Sequence, residues 1–424
     1  MIMNDKEPER QIPQESQDSQ DSDEENKTID VRFPLLILRT KKGLQLMENL
    51  SKIRFIPWLS SISFILFPLL SIFAILFLLL TLSLFLMVPE VREVAREVGP
   101  QGALLIPGLN PFLPIAYGWV AIFVGIVIHE LSHGVIARNL DIPVKSAGLL
   151  FLVVLPIGAF VEVDDQKMDN ISFKKSGRII AAGSGSNLFV AIISLLLLVS
   201  VVNTMQPVAQ GIAVGQIVVD SPAYEAGILP GDIITHLNNV PTPNSNIFST
   251  NFDNFSPGDE IVLTVQRQHM QFDYGLILSN HPNNNDMPFI GVIRPPVDID
   301  DSLEMYKTGL SLSPNFFLYL SFPTGSSFGI PFSSSMQNFY TSSLGDSYLI
   351  LSNLFFWIWF INFNLGVFNA LPLGPLDGGQ AFKRGLNSIA KNKLSVNKIN
   401  LISRIVSISI LVLILSMFTL PYFL

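Results

Sequence analysis

Two histidines four residues apart, with a glutamate directly after the first, stand in the stretch His129-Glu130-Leu131-Ser132-His133. On a helix, positions i and i+4 share a face, so both imidazoles can reach one ion while Glu130 sits one step away. Imidazole nitrogen suits Zn²⁺, and a catalytic zinc takes three protein ligands and keeps a fourth position for water. The 424-residue chain has five histidines and no cysteine. Disulfides, Cys-ligated zinc, a thiol nucleophile and a CxxC redox site are thereby excluded. The plainer alternative is a pair of core histidines. It would bury three ionisable groups in an apolar segment to no purpose, where polar groups are costly and by default functional.

A third ligand has few sources. His236, His269 and His281 fall in a different, β-patterned region. Asp377, in Asn369-Ala370-Leu371-Pro372-Leu373-Gly374-Pro375-Leu376-Asp377-Gly378-Gly379, is preceded by thirty uncharged residues. It closes one apolar stretch as His129 and His133 close another, so both ligand sources meet at one depth. A helix-capping or interface charge beside the glycine turn is the other reading of Asp377.

The elements that must position these groups are apolar. Hydrophobic residues make up 49% of the chain, charged ones 14%, and mean hydropathy is +0.45, the composition of a membrane protein with polar additions. Residues 55–89, 98–128, 179–219, 347–376 and 405–424 carry no Asp, Glu, Lys or Arg. Each is at least as long as the roughly 20 predominantly apolar residues needed to cross a bilayer core. Helices are expected near 60–87, 113–136, 179–202, 347–369 and 401–421. With the N-terminus in the cytoplasm, 21 of the 26 Lys and Arg fall on that side and five (Arg92, Arg96, Arg267, Arg294 and Lys307) on the other, as the positive-inside bias requires. Residues 147–162 are too short and too broken by Pro156 and Gly158 for a span, and read as a membrane-dipping hairpin. Residues 308–345 are punctuated by proline and glycine, and read as a re-entrant or interfacial segment rather than a sixth span.

The net charge of −8 is misleading about the whole. Residues 1–30 hold ten acidic and three basic groups, a net of −7, so the remainder is nearly neutral. A tail over residues 1–32, rich in Gln, Ser and Asp, is expected to be disordered. Nothing suggests a nucleic-acid partner. Residues 208–296 change character, with short alternating runs between turn signals such as Ser-Pro-Gly-Asp, the pattern of a compact β-rich domain. The expected organisation is the acidic tail (1–32), a first membrane part (33–205), the β-rich insert (208–296) and a second membrane part (300–424). The fold class is an all-α multi-pass integral membrane protein of about five transmembrane helices with that insert.

His129–Gly134 and Phe368–Gly379 together resemble the two signatures of the site-2 protease family of intramembrane zinc metalloproteases. Gly148–Asp165 is similar to that family's membrane-associated hairpin, and Ala181–Asn187 to the Gly-rich start of its next core helix. Ser184-Gly185 stands where many relatives have Gly followed by Pro. The resemblance implies His129, His133 and Asp377 as ligands of Zn²⁺, Glu130 as general base, and Asn187 and Asn369 as contacts to the substrate backbone or oxyanion. Ser221–Thr242 is similar to part of a PDZ domain, which accepts an extended peptide and its terminal carboxylate. Gly211 and Ile212 are the expected peptide-binding positions there. The implied activity is cleavage of transmembrane protein substrates within the lipid bilayer, after an earlier cut outside. The implied location is the cell membrane, with a cytoplasmic N-terminus and the PDZ-like domain outside. Two rivals are a non-proteolytic zinc or PDZ scaffold, which has no need for a buried base, and another membrane metalloprotease with a Glu third ligand. No transmembrane Glu follows Glu130 to serve the second.

Overall fold

The computed structural model describes residues 29–423, apart from 154, 268–269, 296, 309–329, 331, 335 and 391–392. Most of the expected acidic tail and the core of the expected re-entrant segment lie outside the described residues. In chain order, strands β1 (Ile29–Arg32) and β2 (Leu35–Arg39) lead into α1 (Lys41–Ser51), α2 (Ile56–Met87), α3 (Pro89–Val98) and α4 (Ile115–Asn139). Strands β3 (Val144–Leu152) and β4 (Leu155–Val163) follow, then α5 (Asp165–Asp169) and α6 (Phe173–Val202). The β-rich region contains β5 (Met205–Pro207), β6 (Ile212–Ala213), β7 (Gln216–Ile217), α7 (Pro222–Ala226), β8 (Ile233–Leu237), β9 (Val240–Pro241) and α8 (Ser245–Phe252). It continues through β10 (Glu260–Arg267), β11 (Met270–Ile277), β12 (Ser279–His281), β13 (Asn284–Phe289) and β14 (Val292–Ile293). The chain closes with α9 (Ile299–Lys307), β15 (Tyr340–Ser342), α10 (Ser347–Asn369), α11 (Asp377–Ala390) and α12 (Val396–Phe423).

Among the described residues five helices, α2, α4, α6, α10 and α12, are long and apolar enough to cross a membrane. Each overlaps one of the five charge-free stretches, since a helix satisfies the backbone of an apolar run within itself where no water reaches it. The chain divides into two compact units. One comprises the described residues to Ile72, Phe123–Ser186 and Asn369–Ser407; the other comprises Phe73–Ile122, Asn187–Phe368 and the chain from Ile408 onward.

In the first unit, the stretch expected as a hairpin forms one, and it belongs to a larger sheet. Four antiparallel strands run in the order β1-β2-β3-β4, with Leu35 opposite Leu152, Arg39 opposite Gly148, and Ala147 opposite Val161. This corrects the all-α expectation for the membrane part, and Ile29–Arg32 is a strand where an unstructured tail was expected to run to residue 32. β1 and β2 form a local hairpin, but β2 pairs onward with β3 more than a hundred residues away, and pairing at that distance leaves no local pattern. Gly148 permits the pairing: a Cβ there would lie 2.3 Å from the Leu38 carbonyl oxygen.

The start of α6 carries small residues where the other long helices carry Leu and Phe. A Cβ at Gly185 would lie 2.1 Å from Ser63 Oγ, and one at Gly177 2.3 Å from the Phe64 ring, so α6 lies directly against α2. Such small-residue faces let apolar helices approach closely where no hydrophobic effect drives them together. Arg178 ties the same two helices, its Nε donating to Ser60 Oγ at 2.9 Å and its NH2 to the Pro57 carbonyl at 2.8 Å.

Among the described residues the second unit has two cores. One gathers Leu198, Val202, Met205, Phe332, Phe339, Tyr340, Phe356, Trp359 and Phe360. The other fills the β-rich region with Ile212, Ile234, Leu237, Ile261, Leu263 and Val265 around a sheet of order β11-β10-β8-β6, with β9 beside β8. The turn signals read there do what their chemistry suggests. Ser221 caps α7, Pro222 occupies its first turn, and Gly227 ends it with φ of +83°. Asp232, 1% exposed, receives both Arg267 Nε and NH2 at 2.7 Å, and this pairing raises the Arg267 pKa further above its ordinary value.

Candidate metal centre

His129 and His133 lie in the C-terminal half of α4, on one face and one turn apart, with ring centroids 4.9 Å apart. Asp377 arrives from the loop between α10 and α11. After Asn369 the chain turns through Pro372 and Pro375, neither of which can continue a helix. It then folds back so tightly that a Cβ at Gly378 would lie 2.2 Å from the Leu371 carbonyl oxygen, and one at Gly379 2.3 Å from that of Leu373. Ser407 pins the loop from α12, donating to the Pro372 carbonyl and accepting from Gly374 N–H at 3.0 Å. Asp377 is the first residue of α11.

Asp377 Oδ2 stands 3.2 Å from His129 Nε2 and 3.3 Å from His133 Nε2. Among the described residues these three side chains form the one cluster of three or more potential metal ligands, their donor atoms within 4.8 Å of one another. The spacing fits a metal. Ligand bonds of about 2.0–2.1 Å in a tetrahedron put neighbouring ligand atoms roughly 3.3 Å apart. The tautomer fits as well. His133 Nδ1 is 2.8 Å from the Ile179 carbonyl oxygen, which accepts a hydrogen bond from Nδ1–H and leaves Nε2 as the ring atom facing Asp377. A proton or a metal ion between Nε2 and the carboxylate oxygen makes such a contact favourable, and a metal can serve both imidazoles at once. Gly183 on α6 completes the cradle: a Cβ there would come within 2.5 Å of His129 Nε2 and 2.6 Å of His133 Nε2.

A cavity of about 420 Å³ opens on this cluster. Glu130, Asn369, Pro375, Gln380 and the β4 residues Val161, Glu162 and Val163 line it with the three ligand candidates. Glu130 Oε2 accepts from the Val161 main-chain N–H at 3.2 Å. The structure thus brings together His129, Glu130, His133, Asp377 and Asn369. Asn187 is fully buried on α6, belongs to the second unit, and does not line the cavity. In the β-rich region, Ile212 lines a separate cavity of about 270 Å³ with Phe248, Phe252, Ile290 and Arg294. Gly211 does not line it; it is a packing position, where a Cβ would lie 2.3 Å from the Ile234 carbonyl oxygen.

Sequence reasoning missed Val161, Ile179 and Gly183. The first two act through main-chain atoms, which no residue type signals. Gly183 lay within the Gly-rich stretch already singled out at the start of α6, and its closeness to both imidazoles is what the fold adds.

Comparison with known proteins agrees with this geometry. The family model described as Peptidase family M50 matches residues 117–413. The chain is 28% identical over 343 residues to an uncharacterized protein of Methanocaldococcus jannaschii, covering 81% of this chain and 75% of that one. It is 27% identical over 327 residues to a Clostridium acetobutylicum protein named "Putative zinc metalloprotease", covering 69% of this chain and 93% of the relative. A Nostoc protein of the same descriptive name is 27% identical over 307 residues, or 60% of this chain and 81% of the relative. With its ligand cluster placed and most of its length matched, the chain belongs to peptidase family M50, the site-2 protease family: a metalloprotease whose metal is zinc.

Proposed function

We propose that this protein is an intramembrane endopeptidase that cuts transmembrane segments of membrane proteins already trimmed outside the bilayer. One observation carries the reading: His129, Glu130 and His133 lie on α4, a helix of membrane-crossing length, beside Asp377, which follows a second such helix. A soluble protease has no reason to build its centre there.

His129, His133 and Asp377 would hold the zinc. When bound, zinc supplies a polarising charge for a peptide carbonyl and makes a water acidic enough to lose a proton near neutral pH. Glu130 takes that proton on its carboxylate and returns it to the leaving amine. A transmembrane helix shields its own carbonyls, so the segment to be cut must unwind. Among the described residues β4 is the outer strand of its sheet, and its edge beside the cavity would offer main-chain groups to an extended chain. Asn369, which lines the cavity at the end of α10, would contact the substrate backbone through its side-chain amide. No substrate contact is assigned to the buried Asn187.

The β-rich region reads as a PDZ-like module that takes the freed C-terminus of a trimmed substrate. Its cavity beside α8 and β14, with Ile212 and Arg294 in the lining, supports that reading. The location consistent with all of this is the cell membrane, with lipid around the five long helices, the N-terminus in the cytoplasm and the β-rich region outside. The test is Glu130→Gln: in liposomes it should bind zinc as the wild type does and leave a single-span substrate intact. Undiminished cleavage by that variant would overturn the reading.

A further inference from the structure

The sheet that begins far away at β1 ends at the catalytic cavity, and its last strand touches the expected base. Val161 lies opposite Ala147 in the β3–β4 ladder, and the Ala147 carbonyl accepts from Thr40 N–H at 2.9 Å, on the β2 side. In an antiparallel ladder a residue's N–H and C=O point the same way, and pairs alternate between bonded and non-bonded. Ala147 therefore spends its polar groups on the β2 side, and Val161 turns its own toward the free edge of β4. Its N–H finds the Glu130 carboxylate there, at 3.2 Å.

We propose that the Val161 main-chain N–H is a positioning group for Glu130. The inference rests on the reading of Glu130 as the general base. A glutamate has three side-chain torsions, and a base that must meet a water in one geometry loses rate for every orientation it samples elsewhere. A charge-assisted bond from a main-chain donor anchors Oε2 and leaves Oε1 for the proton. Because the donor is main chain, its place is set by sheet register and not by a rotamer. The bond from Thr40 to Ala147 locks that register from the far side. The part played by β1–β4 in catalysis is thus to aim the base.

Proline separates this role from packing. An outward-facing N–H on an edge strand is where a sheet tolerates proline, since no ladder bond is lost. Wild type, Val161→Pro, Val161→Ala and Glu130→Gln would be compared as full-length proteins in detergent. The probe is a fluorogenic peptide whose leucine-rich segment is interrupted by Asn-Gly. Val161→Pro is expected to lose about tenfold or more in kcat with KM within about twofold and zinc retained, while Val161→Ala, which keeps the N–H, loses less than about threefold in kcat. Equal losses in the two variants, or a Val161→Pro defect confined to KM, would overturn the proposal. If Val161→Pro fails to hold zinc, the α-hydroxy acid analogue of valine at 161 removes the same N–H with little steric change, and the same kcat loss is required of it. An inactive Glu130→Gln beside a Val161→Pro of wild-type kcat removes this inference alone. An active Glu130→Gln removes the proposed function with it.

Discussion

Gly183 faces His129 so closely that a single added methyl group would sit 2.5 Å from the imidazole Nε2, and it would crowd His133 Nε2 at 2.6 Å as well. Both rings are held on the same helix, and His133 is also bound to the Ile179 carbonyl, so neither can step aside freely. Gly183→Ala should therefore displace ligand atoms from positions that tolerate only a few tenths of an ångström. The expected result is a loss of about tenfold or more in zinc affinity, comparable to losing an outer-shell partner. Zinc content after dialysis against graded chelator concentrations measures it, and unchanged retention would show that the cradle yields.

Removing the metal should cost stability as well as activity. A ligand bound to the native state alone adds about 2.7 kcal/mol at a hundredfold excess over its Kd. Chelation is expected to lower the melting temperature of the wild type, and zinc to restore it. Asp377→Asn, which loses the anionic donor that both imidazoles face, should show a much smaller zinc-dependent shift. Equal shifts in the two proteins would remove Asp377 from the ligand set.

The HELSH stretch and Asp377 were legible because an apolar chain leaves so few ionisable groups to choose from. The five long helices were legible for the same reason: runs without charge or turn residues admit one structure. The pairing of β2 with β3 was not, since Leu35 and Leu152 find each other only in three dimensions. Nor were Val161 N–H and the Ile179 carbonyl, because main-chain donors and acceptors are common to all residues and only the fold aims them. The peptide site of the β-rich region was placed at Gly211 and Ile212. Ile212 lines a cavity, but the Gly211 backbone is pressed against Ile234.

In the β-rich region, Arg267→Ala should expose the dependence of that fold on one ion pair. Asp232 is 1% exposed and also accepts from Leu229 N–H at 2.8 Å. Removing its guanidinium partner strands a buried carboxylate, which typically costs about 3–5 kcal/mol. Because the arginine side chain is 29% exposed, the lower end is expected. Hydrogen exchange should quicken by a corresponding factor in β8, β10 and β11 while α4 keeps its protection. Uniform quickening along the chain would contradict the prediction.

Gly378 and Gly379 have a bearing on how this protein tolerates change. A side chain at either would press on carbonyl oxygens of the main chain, atoms that no neighbouring substitution can trim. A saturation screen scored by proteolysis would mark both as intolerant as Asp377, although neither offers an atom to the reaction. Scored by zinc uptake and by turnover separately, Gly378 and Gly379 should fail at the first step and Glu130 only at the second. The order of failure divides residues that build the centre from the one that works there.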